Sequence, residues 1–286
     1  MEYLSNEILY SGKMTFLFFE WLYVRNFDHT TRQHTTHIPP SPSADWENPE
    51  VIARNKKPPH TILRSFRSSQ AAVDYWNDNS ESTKAEACNL FYLTGQSGKP
   101  DPSKVWKFSL IDSPESVPHD WQTLHFIEEP AMWDSVALPN HWQCQGYDIP
   151  IYTNTGYPFR FNPPYARRDG TWKATDCDVF LGGSSQDTVV KETRPNPTGL
   201  FRTSFALPSS WNPSNSRICI VFEGVDSALE VWMDGVYVGY SQDSCLPAEF
   251  DITDLLEENS SRSSHLLCCR VSYSSLSNHL FISDRS

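Results

Sequence analysis

The pattern of apolar and polar positions indicates structure most clearly between Gly199 and Tyr273. Leu200 to Phe205 reads as a strand, and Arg217 to Phe222 (R-I-C-I-V-F) is a more continuous apolar run that fits a buried strand. Ala228 to Met233 and Val236 to Gln242 flank Asp234-Gly235. Asp-Gly between two such runs predicts a hairpin, because a type I′ turn needs positive φ at both central residues. Phe250 to Ile252 leads into Thr253-Asp254-Leu255-Leu256, a cap and one helical turn, and a polar loop separates these from a last strand, His265 to Tyr273. Upstream, Val105 to Leu110 alternates, Ser135 to Leu138 is a further short strand, and Gln70 to Trp76 reads as a short helix after the extended Pro58-Pro59. Short strands at intervals of about 8–12 residues with turn signals predict a β-sandwich.

Three stretches break that rhythm. Residues 1–44 read as a leader without a fold, ending in a polar linker with Pro39, Pro40 and Pro42. Gly95 to Lys104 and Ala166 to Lys191 carry Gly, Ser and basic residues without a sustained period and read as surface loops.

Composition narrows the class. The 286 residues include 10 Trp and 21 Pro but only 12 Gly, which favours a loop-rich β protein over a dinucleotide fold built on glycine turns. The net charge, 23 − 35 = −12, argues against nucleic acid and anionic membrane as partners. No apolar run approaches the roughly 20 residues that span a bilayer. Seven cysteines without a C-x-x-C pair indicate neither a disulfide scaffold nor a zinc site. The apolar run Phe16 to Val24 is broken by Glu20 and follows Glu2 and Glu7, so it does not read as a signal peptide, and a reducing, cytoplasmic compartment is the expectation.

Three blocks are more specific than any periodicity. The first is Asp45-Trp46-Glu47-Asn48-Pro49. The second runs from Leu138-Pro139-Asn140-His141-Trp142-Gln143 through Gly146-Tyr147-Asp148-Ile149-Pro150-Ile151-Tyr152-Thr153-Asn154. The third starts at Asn196-Pro197-Thr198-Gly199 and continues through Phe222-Glu223-Gly224-Val225-Asp226 to Val238-Gly239-Tyr240-Ser241-Gln242-Asp243-Ser244 and Leu246 to Asp251. In order and spacing they resemble the amino-terminal sugar-binding domain of glycoside hydrolase family 2, in particular large beta-galactosidases of the bacterial and plant type. The resemblance covers roughly residues 45–272, leaving 273–286 as a tail.

The resemblance implies an all-β fold, a jelly-roll β-sandwich of the galactose-binding-domain kind that packs against a catalytic (β/α)8 barrel. In the family that barrel hydrolyses terminal β-galactosides with two glutamates, beside a magnesium and a sodium ion. The amino-terminal domain lends side chains to the rim of the site. By resemblance these are Asn154, which would contact the sugar, and Asp243, which would contact the sugar and the sodium ion. Such roles fit the chemistry, since hydroxyls need fixed polar partners and hard cations need carboxylate oxygen.

Length then decides the expected function. A barrel needs about 250 residues, and retaining hydrolysis needs two carboxylates about 5–5.5 Å apart. Residues 45–272 supply neither. Glu223, Asp226, Asp243 and Glu249 are close in sequence, but their spacing reads as charged turns. The chain is expected to be a sugar-binding domain fragment without catalysis of its own and without a cofactor of its own. A galactoside, bound weakly, and a barrel domain or chain are its expected partners. The alternatives are a free carbohydrate-binding module, or a piece that completes the site of a separate barrel-bearing chain. Cys245 stands where the family has Arg, and the two insertions and the tail depart from it too, as in a truncated product or a gene carrying retained intron sequence. Among the aromatics, core packing is expected for Trp106 and Trp232. Trp142 and Tyr152, in a Pro-rich stretch, are expected at a surface facing the barrel.

Overall fold

A computed structural model describes residues 22–28, 44–48, 50–61, 66, 68–77, 89–95, 100–148, 171–173, 189–191, 196–243 and 246–272. The strands are β1 (Leu22–Asp28), β2 (Ala53–Arg54), β3 (Leu90–Tyr92), β4 (Val105–Ile111), β5 (Asp134–Ala137), β6 (Thr171–Lys173) and β7 (Val189–Lys191). They continue with β8 (Thr198–Phe205), β9 (Ser216–Phe222), β10 (Ala228–Met233), β11 (Val236–Ser241), β12 (Ala248–Asp251) and β13 (His265–Ser272). Among the described residues there are also two α-helices, α1 (Ser69–Asn77) and α2 (Thr253–Glu258), and three short 3-10 turns. Among the described residues no helix is long and apolar enough to cross a membrane.

A large antiparallel sheet runs in the order β2-β11-β10-β13-β8-β4-β5, and a smaller one in the order β12-β9-β1-β3. The main core lies between them. Phe108, Phe201, Leu229, Val231, Val238, Leu267, Cys269 and Val271 come from the large sheet, and Leu22, Val24, Ile218, Ile220, Phe222 and Phe250 from the small one. The fold is therefore an all-β sandwich, as the periodicity and the resemblance imply.

The large sheet is buried on its outer face as well. Alternate residues of the same strands, Leu200, Ala228, Trp232, Leu266 and Cys268, pack there with Trp46, Trp121, Trp133, Tyr237 and Tyr240. A strand covered on both faces reads as an unbroken apolar run, which is why every residue of β10 is buried. Its one charge, Glu230, is paired with Arg270 of β13, and the Arg270 guanidinium lies 4.6 Å from the Trp46 ring centroid.

Local chemistry sets the turns. Asp234 and Gly235 have φ of 52° and 87°, the two positive values that the hairpin between β10 and β11 requires. The Asp234 carboxylate also accepts the Leu266 N–H at 2.8 Å and pairs with His265 Nδ1 at 2.7 Å, which docks the turn onto β13. At α2 the capping oxygen comes from Asp251 and not from Thr253. Asp251 Oδ1 accepts the Thr253 N–H at 3.0 Å, while the Thr253 hydroxyl is engaged with Asp251 and Ile218.

Three expectations are corrected. Residues 22–28, read as part of an unfolded leader, form β1 inside the small sheet, with Leu22 and Val24 wholly buried. Its partners lie far away in sequence, so no local pattern announces it. Trp142, expected at a surface, is 3% exposed, and its ring stacks on Phe201 and packs on Phe108. Its room comes from Gly199, where an added Cβ would sit 2.3 Å from the Trp142 ring. The stretch 166–191, read as a loop, contains the antiparallel ribbon β6–β7, with Thr171 opposite Lys191. Trp106 and Trp232 are buried, as their strand positions imply.

Substituting Gly199 tests the Trp142 packing. Gly199→Ala should lower folding stability by about 1–3 kcal/mol, the cost of overpacking a filled core. Urea denaturation followed by tryptophan fluorescence checks this, and an unchanged midpoint would contradict it.

Candidate functional site

The described site residue is Asp243, at the corner where the chain leaves β11. The edge beside it is built from the first and third sequence blocks. β2 pairs with the end of β11, Arg54 opposite Tyr240 and Ala53 opposite Ser241. Gly239 allows that approach, since a Cβ there would lie 2.5 Å from the Phe250 ring and 2.7 Å from the Arg54 carbonyl oxygen.

One side chain then ties the corner together. Gln242 is buried, and its Nε2 lies within donating reach of three backbone oxygens: Val51 at 2.7 Å, Asp45 at 3.1 Å and Asn48 at 3.2 Å. Its backbone N–H donates to the Ile52 carbonyl at 3.0 Å. Asp45 is fixed a second time, because Arg54 donates to both of its carboxylate oxygens, at 2.6 and 2.9 Å. Such forked pairs add geometric definition to charge attraction. The turn Asp45 to Glu47 is thus held against the end of β11 by a neutral amide and an ion pair.

Asp243 follows directly on that anchor. Its backbone N–H donates to Ser241 Oγ at 3.4 Å, and the same hydroxyl accepts from Lys56 Nζ at 3.1 Å. Lys56 Nζ lies 3.8 Å from Asp243 Oδ2, and the two side chains are 6% and 38% exposed. Burial pushes the Lys56 amine below its ordinary value, and the Asp243 carboxylate opposes that push. The arrangement is an outward-facing carboxylate backed by a buried amine, suited to accept hydrogen bonds from hydroxyl groups. Ile52, whose carbonyl takes the Gln242 N–H, and Leu246, three residues after Asp243, are 63% and 45% exposed.

Glu249, close to Asp243 in sequence, is committed to other partners. Glu249 is buried and engaged by Lys57 at 2.7 Å, His60 at 3.0 Å and Arg25 at 3.5 Å. Burial pushes its carboxyl up, but Lys57, Arg25 and His60 outweigh that and hold it below its usual range. Glu223 and Asp226 have interactions of their own. Among the described residues no group of three or more His, Cys, Asp or Glu side chains could hold a metal ion. One carboxylate beside an ammonium does not make a sodium site, so Asp243 can be at most one ligand among several. Asn154, Tyr152 and Cys245 lie outside the described residues.

Sequence reasoning named Asp243 but missed what positions it. Gln242 stands inside a quoted block without a role, and Lys56 was not singled out. The available signal was the pair Lys56-Lys57 in a chain with a −12 charge, immediately after a strand.

Residues 103–189 and 187–284 match the family described as glycosyl hydrolases family 2, sugar binding domain. A beta-galactosidase of Psychromonas ingrahamii is 37% identical over 209 residues, which are 73% of this chain and 16% of that protein. One from Alteromonas mediterranea is 36% identical over 219 residues, again 16% of its length. The chain thus spans about a sixth of the relatives it matches. A solved beta-glucuronidase of Bifidobacterium dentium covers 58% of this chain at 18% identity, with a TM-score of 0.35.

The Asp243–Lys56 pair predicts a titration. Asp243→Asn removes the charge that opposes burial of the amine, so Lys56 should titrate at lower pH than in the unaltered chain. The carbon-13 shift of Lys56 Cε followed against pH reads this directly, and an unchanged or higher midpoint would contradict the pairing.

Proposed function

We infer that this chain, which belongs to glycosyl hydrolases family 2 through its sugar-binding domain, acts as the non-catalytic sandwich of a beta-galactosidase-type hydrolase and lends Asp243 to the rim of an active site formed by a catalytic barrel. The observation that carries the reading is the outward carboxylate of Asp243, fixed by Gln242 and backed by Lys56. A galactoside hydroxyl is the group it would accept from, and Asn154 is the second proposed sugar contact. A sodium ion enters only where the barrel adds further oxygens to that of Asp243, and magnesium belongs with the barrel's acid/base. Ile52 and Leu246 are the apolar neighbours such a barrel would cover.

This reading is favoured over a free carbohydrate-binding module by where the aromatics lie. The rings weighed as sugar-stacking candidates, Trp46, Trp106, Trp121, Trp142 and Trp232, are all buried, and Trp76, which is 77% exposed, lies on α1 outside the residues that match the family.

The purified chain should not hydrolyse a chromogenic β-galactoside, and calorimetry with galactose or lactose should give little or no heat. Co-expression with a beta-galactosidase chain that lacks its own amino-terminal domain should restore hydrolysis, and Asp243→Ala should remove most of that gain. Hydrolysis by the purified chain alone, or rescue indifferent to Asp243→Ala, would overturn the proposal.

A further inference from the structure

β1 lies outside the residues that match the sugar-binding family, yet it is an inner strand of the small sheet. It pairs antiparallel with β9 along its whole length, from Leu22 opposite Phe222 to Asp28 opposite Ser216. On its other side it pairs with β3, Tyr23 opposite Tyr92 and Arg25 opposite Leu90. The Leu93 N–H donates to the Leu22 carbonyl at 2.9 Å, and the Asn26 N–H to the Asn89 carbonyl at 3.1 Å.

Both faces of β1 are recognised. Leu22 and Val24 enter the main core, wholly buried. On the opposite face the Tyr23 ring meets Tyr92 at 5.4 Å, and Arg25 reaches the buried Glu249 at 3.5 Å. β12 protects only the far side of β9, from Cys219 to Phe222. Without β1, the near side of β9 would be an open edge above an unfilled core, which is a template for another strand.

We propose that the slot between β9 and β3 is a strand-accepting site, filled within one molecule by its own β1 and able to take β1 of a second copy of this chain. The second copy is the occupant that fits by construction, because its strand carries the same apolar pair and the same arginine for Glu249. Residues 29–43 join β1 to the sandwich, and that connector reaches about 50 Å when extended. Reciprocal exchange gives a closed two-fold dimer that makes every contact of the monomer. Tethering favours the monomer by an effective concentration in the millimolar range. Exchange should therefore rise with protein concentration.

The test uses full-length chain with a protease site placed within residues 29–43, in two versions that carry different amino-terminal and carboxy-terminal mass tags. The two are folded together from urea at about 0.1 and about 1 mM, values chosen to bracket the tether, and the connector is then cut. Native mass spectrometry reads which amino-terminal piece each sandwich holds. The expected result is sandwiches holding the other copy's piece, several-fold more abundant at the higher concentration and concentrated in the dimer fraction. Co-expression of the two versions gives the same readout where refolding from urea fails. Sandwiches that hold only their own piece at both concentrations, or that hold none after cutting, would overturn the proposal.

Discussion

The corner that carries Asp243 depends on one side-chain amide. Gln242 offers its nitrogen to the carbonyls of Asp45, Asn48 and Val51, all three turned toward it. The Asp45 and Asn48 oxygens also accept the Asn48 and Val51 N–H groups at 3.0 and 3.2 Å, so the amide adds a second donor to the turn and ties it to the end of β11. The amide also carries no charge, so it does not disturb the Arg54–Asp45 pair alongside. Because Asp243 is the next residue, whatever fixes Gln242 fixes where the carboxylate points.

Behind that corner, stability comes from a sheet buried twice. Its inner face meets the small sheet, and its outer face is covered by the Asp45 turn and by the segment that contains Trp121 and Trp133. Arg202 crosses this outer layer, pairing with Glu128 at 2.8 Å and reaching the Trp121 carbonyl. Tryptophan is a suitable residue for such a layer because it covers a large area while leaving an N–H for a polar partner. In the inner core Trp106 does the same with the Leu93 carbonyl at 3.0 Å. Trp46, Trp106, Trp121, Trp142 and Trp232 therefore serve packing and do not form a sugar-stacking platform.

Much of the sandwich was legible in sequence because its strands from Leu200 onward are neighbours in the chain and their turns have their own chemistry. Asp234-Gly235 specifies a hairpin without reference to anything distant. β1 was not legible, because its burial is created by β9 and β3, which lie far from it in sequence. Trp142 was misread for a related reason. Its flanking prolines and polar residues describe a loop, while the cavity that receives it belongs to Gly199. Asp243 was legible through the block around it, but the amine behind it was not, since Lys56 meets it only when β2 joins the edge of β11.

In the proposed role, a carboxylate held at a rim assists a reaction without performing it. Glu249 is already engaged by Lys57, Arg25 and His60, and the Asp243 side chain is 38% exposed. The account stands or falls on whether Gln242 holds the Asp45–Val51 turn and with it the Asp243 corner. Amide hydrogen exchange of a Gln242→Leu variant, followed at Asn48 and Val51 by NMR, measures this most directly. The account predicts exchange at both amides faster by about tenfold or more, the consequence of losing roughly 1.4 kcal/mol or more of local stability, with the β8–β13 amides unchanged. Unchanged exchange at Asn48 and Val51 in the folded variant would contradict it.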